Sequence, residues 1–170
     1  MAQAGVLKED DRVELIEGEI VEMAPIGSRH AACVNRLTRI FSQRLGQRAL
    51  LAVQNPINLG ERSEPQPDMA LLRPTSDCYA TAHPGPEDIF LLIEVADTSV
   101  DYDREVKVSL YARSGVTELW LVDLTSARIE VYRDPGPDGY RQTEILGADE
   151  HLAPSAFPDV ALPAREILGS

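Results

Sequence analysis

The chain has 170 residues, of which 44% are hydrophobic and 26% are charged, a composition typical of a globular protein with a sizeable core. No apolar run approaches the ~20 residues that span a bilayer, and no secretory signal is apparent, so we expect a cytoplasmic protein. The formal net charge of -12 disfavours binding to nucleic acid, because nonspecific DNA affinity comes from Lys and Arg that neutralise phosphates.

The first predicted elements are an arm and a hairpin. Residues 1–10 lack periodicity and are predicted to be a flexible arm of a single domain that spans residues 1–170. Residues 13–16 and 19–23 flank the turn-like pair Glu17-Gly18, and the second of these runs alternates apolar with acidic residues. We therefore predict a β-hairpin with one exposed face.

A long amphipathic helix is predicted after the hairpin. Ser28 is a plausible N-cap, the helix runs to about Leu45, and Gly46 ends it. An apolar stripe follows the helix and consists of Val34, Leu37, Phe41 and Leu45. His30 continues this stripe toward the core, where a lone histidine is more often a structural residue than a catalytic one.

Five arginines lie on or near the predicted helix. The arginines that follow the predicted helix are Arg29, Arg36, Arg39, Arg44 and Arg48. They would supply a local basic face for nucleic acid, although a solvated helix face is the simpler interpretation.

The chain has two cysteines. Cys33 and Cys78 lack the spacing of a disulfide framework or a metal site, so both are predicted to be free thiols.

Two of the next strands carry a carboxylate. Residues 49–53 and 56–59 are predicted strands, and Pro67 then favours extended backbone as Asp68 enters another short apolar run. Residues 73–88 are predicted to be a surface loop with at most a helical turn.

The run at residues 88–96 is almost wholly apolar and predicts a strand buried on both faces, yet it contains Glu94. Burial of a lone carboxylate costs several kcal/mol, so Glu94 must be protonated, paired with a cation or bound to a metal.

Lys107 follows Glu94 by 13 residues and lies on the next predicted helix. Thr98 or Ser99 can cap that helix, and residues 101–107 form its opening turns. Lys107 flanks the apolar face of this helix and can extend toward the carboxylates. Asp103, four residues earlier, would instead hold Lys107 in a weak surface ion pair.

The C-terminal third of the chain is predicted to be mainly β-structure. Residues 119–122 form a buried strand, and the alternation at residues 128–133 predicts a strand with one exposed face. A turn rich in Pro and Gly joins it to a strand at residues 140–145. A short strand at residues 160–162 and a last helical turn from Pro163 to Leu168 follow. The aromatic residues Trp120, Tyr132 and Tyr140 are interpreted as packing residues, because no basic residues interleave them.

The order Pro67-Asp68, Glu94-Val95-Ala96 and Lys107 resembles the signature of the PD-(D/E)XK nuclease superfamily. More narrowly, it resembles the Uma-type family of restriction-endonuclease-like proteins. The superfamily's lysine normally stands two residues after the glutamate, where this chain has Ala96. In the Uma-type pattern the lysine appears on the following helix, where Lys107 stands. The resemblance implies an α/β fold with a restriction endonuclease-like core: a central mixed β-sheet flanked by helices, with N-terminal and C-terminal β-hairpins.

The resemblance also implies a site and a reaction. Asp68 and Glu94, with the backbone carbonyl of Val95, would bind Mg²⁺ or Mn²⁺, and Lys107 would complete the catalytic set for hydrolysis of DNA phosphodiesters. Hard oxygen ligands suit these ions, and two carboxylates in one buried site repel each other unless a cation neutralises them. From the pattern alone, Glu14 and Glu19 are both interpreted as ordinary hairpin residues. Related nucleases bring an N-terminal acidic residue near the metal, which makes Glu19 an additional candidate.

Two other functions fit the sequence. The acidic charge favours a catalytically silent nuclease fold that binds DNA or a protein partner, and hydrolysis of another phosphate ester is a third possibility. The edges of the two hairpins would allow two copies to pair, so a homodimer is expected.

Overall fold

The computed structural model describes residues 12–23, 25–97 and 103–169. The predicted arm at residues 1–10 and the predicted caps Thr98 and Ser99 lie outside these residues. In the described part of the chain, no helix is both long enough and apolar enough to cross a membrane.

A mixed six-stranded sheet forms the centre of the fold, which confirms the predicted α/β class. The strands of this sheet lie side by side in the same order as in the chain. Their bounds are β3 Leu50–Val53, β4 Met69–Leu72, β5 Ile89–Ala96, β6 Glu118–Asp123, β7 Arg128–Gly136 and β8 Gly139–Gly147. β5 and β6 run parallel, and the other neighbouring pairs run antiparallel.

Helices and two smaller sheets surround the central sheet. The helices are α1 Ser28–Leu45, α2 Val108–Arg113 and α3 Ala164–Leu168. A π-helical turn, Asp103–Lys107, leads into α2, and 3-10 turns lie at Gly46–Arg48 and Pro86–Asp88. The predicted N-terminal hairpin is present as β1 Val13–Ile16 and β2 Glu19–Glu22, and β9 His151–Leu152 pairs with β10 Leu162–Pro163.

The alternation of side chains along β5 separates two cores. Leu91, Ile93 and Val95 pack with the apolar stripe of α1 on one face of the sheet. Leu92 and Ala96 pack on the other face with Tyr111 of α2. The side chain of Glu94 lies on the same face of the sheet as Leu92 and Ala96. Its carboxylate therefore needs a partner on the face that α2 covers.

Three local predictions are wrong. Residues 56–59 are not a strand, because the amides of Ile57 and Asn58 donate to the loop carbonyls of Pro65 and Pro84 instead of to a neighbouring strand. Ser28 is the first residue of α1 and not its cap; Gly27 occupies the N-cap position without a side-chain hydrogen bond.

The third error concerns β7, whose predicted exposed face is buried. Glu130 and Tyr132 are 3% and 8% exposed, although they alternate with apolar residues. α2 packs beside this strand, and the Tyr132 hydroxyl donates to Glu130 Oε1 at 2.5 Å. A buried partner for each polar group makes the second buried face possible.

Arginines of the first helical region hold the C-terminal segment in place. Arg36 Nε donates to the Ile167 carbonyl at 2.9 Å, and Arg48 makes two 2.8 Å hydrogen bonds to Asp159, which lower the pKa of Asp159 to about 2. Arg29 binds the Leu124 carbonyl and lies 3.1 Å from Asp97. These arginines therefore have structural partners, and the basic face predicted from them is partly neutralised.

The two cysteines should differ sharply in reactivity. Cys33 is fully buried and its Sγ donates to the Ile167 carbonyl at 3.5 Å, whereas Cys78 is exposed. Burial raises the pKa of the Cys33 thiol to about 11, so Cys33 remains a protonated, unreactive thiol at lower pH. At pH 8, a chromogenic disulfide reagent should react quickly with one thiol in the folded protein and with two after unfolding. Cys78→Ser should remove the fast phase; two fast thiols in the folded protein would contradict this packing.

Candidate active site

The pairing of β4 with β5 brings the two predicted carboxylates together. Met69 lies opposite Ile93, so Asp68, which directly precedes β4, lies opposite Glu94. The Val95 amide donates to Asp68 Oδ2 at 2.8 Å, and the Asp68 amide lies 3.4 Å from Glu94 Oε1. Asp68 and Glu94 are 7% and 3% exposed. An antiparallel ladder thus fixes the spacing of two acids that lie far apart in the sequence.

α2 and the turn before it supply two donors to Glu94. Lys107 Nζ lies 3.1 Å from Glu94 Oε2, and the Tyr111 hydroxyl donates to the same oxygen at 2.6 Å. Residues four apart lie on one side of a helix, which explains why Lys107 and Tyr111 reach the same carboxylate. Burial raises the pKa of Tyr111 well above its usual value, and the negative charge of Glu94 raises it further, so the hydroxyl remains a donor.

The N-terminal hairpin contributes a second partner for Lys107. Glu14 Oε1 accepts hydrogen bonds from Lys107 Nζ and from the Gln66 amide, both at 2.8 Å. Lys107 therefore bridges two buried carboxylates, Glu14 and Glu94. The side chain of Lys107 is 6% exposed. The side chain of Asp103, its alternative partner, lies outside the described residues.

The hairpin is held over the site by the loop that precedes β4. The Glu64 amide donates to the Leu15 carbonyl at 2.7 Å, and the Gly18 amide donates to the Arg62 carbonyl at 2.7 Å. Glu17 and Gly18 both have positive φ, 51° and 85°, as a tight two-residue hairpin turn requires. This docking places Glu14 beside Lys107.

His30 of α1 contacts the carboxylate oxygen of Asp68 that does not accept from the Val95 amide. Its Nε2 lies 3.0 Å from Asp68 Oδ1. The side chains of His30 and Asp68 are 15% and 10% exposed, against 4% for Glu14 and Glu94. The solvent-facing side of the site is therefore the side on which Asp68 and His30 lie.

Asp68, Glu94 and Lys107 were predicted for this cluster, whereas His30 was interpreted as a structural residue. Glu14 and Tyr111 were missed. Glu19, the additional candidate, is exposed at the start of β2, and Glu14 is the hairpin acid that reaches the site. Glu14 and Ile16 are two residues apart on β1, so their side chains lie on the same face of the hairpin, and both are buried. The apolar Ile16 on that face was the available sequence signal that Glu14 is buried. Spacing from Lys107 was the signal for Tyr111.

The chemistry of the carboxylate pair suits a hard divalent ion. In the described ranges, no three His, Cys, Asp or Glu side chains form a group that would hold a metal. Mg²⁺ commonly takes one or two carboxylates and keeps several waters, so two carboxylates and a backbone carbonyl are a sufficient protein contribution. Each carboxylate oxygen of Asp68 and Glu94 has two lone pairs, so a hydrogen bond does not prevent it from binding an ion.

The sequence matches the model of the Uma2 family, described as "putative restriction endonuclease", over residues 2–165. The chain belongs to the Uma2 family. Its fold is also similar to the crystal structure of a putative nuclease belonging to DUF820 from Anabaena variabilis ATCC 29413. That likeness has a TM-score of 0.77 at 16% sequence identity, and it covers 96% of this chain and 93% of the other. No curated protein matches this chain.

In this Uma2 family member, a lysine lies beside Glu94 although none stands two residues after it in the sequence. Ala96, at that position, is fully buried and packs in the core on the α2 face. Lys107 approaches Glu94 from the turn before α2 instead.

Proposed function

We propose that this protein is a metal-dependent endonuclease that hydrolyses phosphodiester bonds in DNA. The observation that carries the proposal is the convergence of Asp68, Glu94 and Lys107 from separate elements into one buried cluster. Membership of the Uma2 family supports the same reaction class.

Asp68 and Glu94, with the Val95 carbonyl, would hold Mg²⁺ or Mn²⁺. When bound, such an ion supplies a water of lowered pKa and polarises the scissile phosphate. The chain fixes its own ligands: the Val95 amide orients Asp68, while Tyr111 and Lys107 orient Glu94. These hydrogen bonds are made before substrate arrives, so little reorganisation is needed during the reaction.

Lys107 has two roles in this proposal. Its charge reduces the repulsion between Glu14 and Glu94, and it places a positive group beside the site where negative charge develops on the phosphate. A DNA strand would approach from the side of Asp68 and His30, because these side chains retain more exposure than the others. His30 holds Asp68 Oδ1 on that side.

Cleavage of supercoiled plasmid and of single-stranded and double-stranded oligonucleotides, each with Mg²⁺ or Mn²⁺, tests the proposal. We expect cleavage that stops when a chelator is added and returns when the ion is restored. Consistent absence of cleavage with both ions and all substrates would reject the enzyme assignment. Turnover of small phosphodiesters without DNA cleavage would indicate another phosphate ester as substrate.

A catalytically silent binding module is the second candidate. The net charge of -12 favours it, since electrostatic repulsion opposes DNA association. Isothermal titration calorimetry with Mn²⁺ separates the two candidates: heat of binding that is lost in Glu94→Gln supports the nuclease, and no binding supports the module.

We also propose that two copies of the chain pair. β8 is an edge strand of the central sheet, and its Ile145 is 57% exposed. An edge strand has unpaired backbone groups that a second copy could bind.

A further inference from the structure

Two hydrogen-bond donors converge on one oxygen of Glu94. The Tyr111 hydroxyl lies 2.6 Å from Oε2, and Lys107 Nζ lies 3.1 Å from the same atom. The other oxygen, Oε1, lies toward Asp68, 3.4 Å from its amide nitrogen. The carboxylate plane is therefore set by contacts on opposite sides, and the two oxygens have different surroundings.

Tyr111 is well suited to keep this arrangement rigid. It is fully buried, and it packs in the core cluster that also contains Leu92 and Ala96 of β5. A buried tyrosine has few rotamers available, so its hydroxyl is fixed by the packing of the ring. Lys107 has a longer and more flexible side chain, and Glu14 shares its ammonium group. Of the two donors, Tyr111 thus defines the orientation more tightly.

A purely structural role is the competing explanation, because buried hydroxyls generally need an acceptor. The same face of the sheet offers an internal comparison. Tyr132 donates to Glu130 Oε1 at 2.5 Å, and both residues are buried on β7. That pair has the same chemistry, but it lies on a strand that carries neither Asp68 nor Glu94. The two tyrosines therefore allow structural support to be separated from support of the site.

We propose that Tyr111 is a positioning residue that, with Lys107, holds Glu94 Oε2 so that Oε1 is the single oxygen offered to a divalent ion. This inference rests on the proposed function, because it assumes that Asp68 and Glu94 bind the ion. Partners that orient a metal ligand typically change metal affinity by about 10–100-fold when they are removed. Tyr111 would act through Glu94 and would not contact the ion or the substrate.

The test is the affinity for Mn²⁺, measured by calorimetry on the unmodified chain, Tyr111→Phe and the matched control Tyr132→Phe. Each substitution removes one buried hydroxyl from a Tyr–Glu pair on the same face of the sheet. We expect Tyr111→Phe to weaken Mn²⁺ binding by about 10–100-fold and Tyr132→Phe to leave the affinity unchanged. Thermal unfolding of the three proteins without metal reports the structural cost of each change.

The outcomes separate this inference from the function on which it rests. Equal Mn²⁺ affinity in Tyr111→Phe and the unmodified chain would overturn the positioning role alone. Loss of affinity in both variants would make the effect structural and would also overturn it. A failure of the unmodified chain to bind Mn²⁺ would overturn the proposed metal site together with the inference.

A second measurement does not depend on the folding of a variant at position 111. Difference infrared spectra of the unmodified chain with and without Mn²⁺ distinguish a carboxylate that binds through one oxygen from one that binds through two, by the separation of its two stretching bands. Labelling of the glutamate carboxyl groups with ¹³C separates the bands of Glu94 from those of Asp68. Wide separation supports binding through a single oxygen, as proposed for Oε1, and the narrow separation of bidentate binding would contradict it.

Discussion

Replacement of Asp68 by asparagine is expected to abolish detectable metal-dependent DNA cleavage, with a loss of roughly 10²–10³-fold or more, as when a group that stabilises transition-state charge is removed. Asparagine has nearly the same shape, and its amide oxygen can still accept the hydrogen bond from Val95. The substitution therefore removes the negative charge while it preserves the β4–β5 junction. Initial rates on a labelled oligonucleotide with Mn²⁺ give the measurement.

Asp123→Asn is the matched control for this experiment. Asp123 is another buried aspartate, 2% exposed, and it lies at the end of β6 opposite Ala96. Its Oδ1 accepts from the Ser126 amide at 3.0 Å, a bond that an asparagine oxygen can also make. We expect this variant to cleave DNA at nearly the unmodified rate. Cleavage by Asp68→Asn at the rate of Asp123→Asn and of the unmodified chain would show that Asp68 is not part of the catalytic site even though the protein is a nuclease.

The largest stability effect is expected for Lys107→Met, which should lower the free energy of unfolding by about 3–5 kcal/mol. Lys107 is 4% exposed and its ammonium contacts Glu14 at 2.8 Å and Glu94 at 3.1 Å. Methionine fills a similar volume but leaves two buried carboxylates without their shared cation. Urea unfolding, followed by fluorescence of the single tryptophan, Trp120, measures the change.

Arg113→Met, at the end of α2, provides a control. Arg113 of α2 pairs with Glu17 in the turn of the hairpin, so it also links α2 to the hairpin. Its side chain is 41% exposed and that of Glu17 is 55% exposed, and an exposed pair contributes about 0–1 kcal/mol. A loss in Lys107→Met no larger than the loss in Arg113→Met would mean that the buried pair adds no stability.

A double substitution tests the reason for the loss. Adding Glu14→Gln to Lys107→Met removes one of the two uncompensated charges while the glutamine oxygen can still accept from the Gln66 amide. The double variant should therefore be more stable than Lys107→Met alone. A double variant less stable than either single variant would point to lost packing instead of lost charge compensation.

The site shows why only part of a constellation can be predicted from sequence. Asp68 and Glu94 were detectable because each is a carboxylate at an otherwise apolar strand. Burial of an unpaired carboxylate is energetically unfavourable, so each must have a partner. Lys107 was predicted because it stands where the Uma-type pattern has its lysine, on the helix after Glu94. Glu14 gave a weaker signal, because a charged residue in a short hairpin is ordinarily solvent-exposed and its burial depends on the docking of the hairpin against residues 62–66.

The same division holds for the fold. From the sequence it could be predicted that apolar runs become strands and that α1 is amphipathic, because these properties depend on residues close together in the chain. The nuclease-like order of two acids and a lysine could also be recognised, because it depends only on their order along the chain. The burial of the second face of β7, and the contacts of Glu14, His30 and Tyr111 with the predicted residues, are seen only in the folded chain. Those outcomes depend on strand register and on which surfaces pack together, and both arise from contacts between residues that lie far apart in the chain.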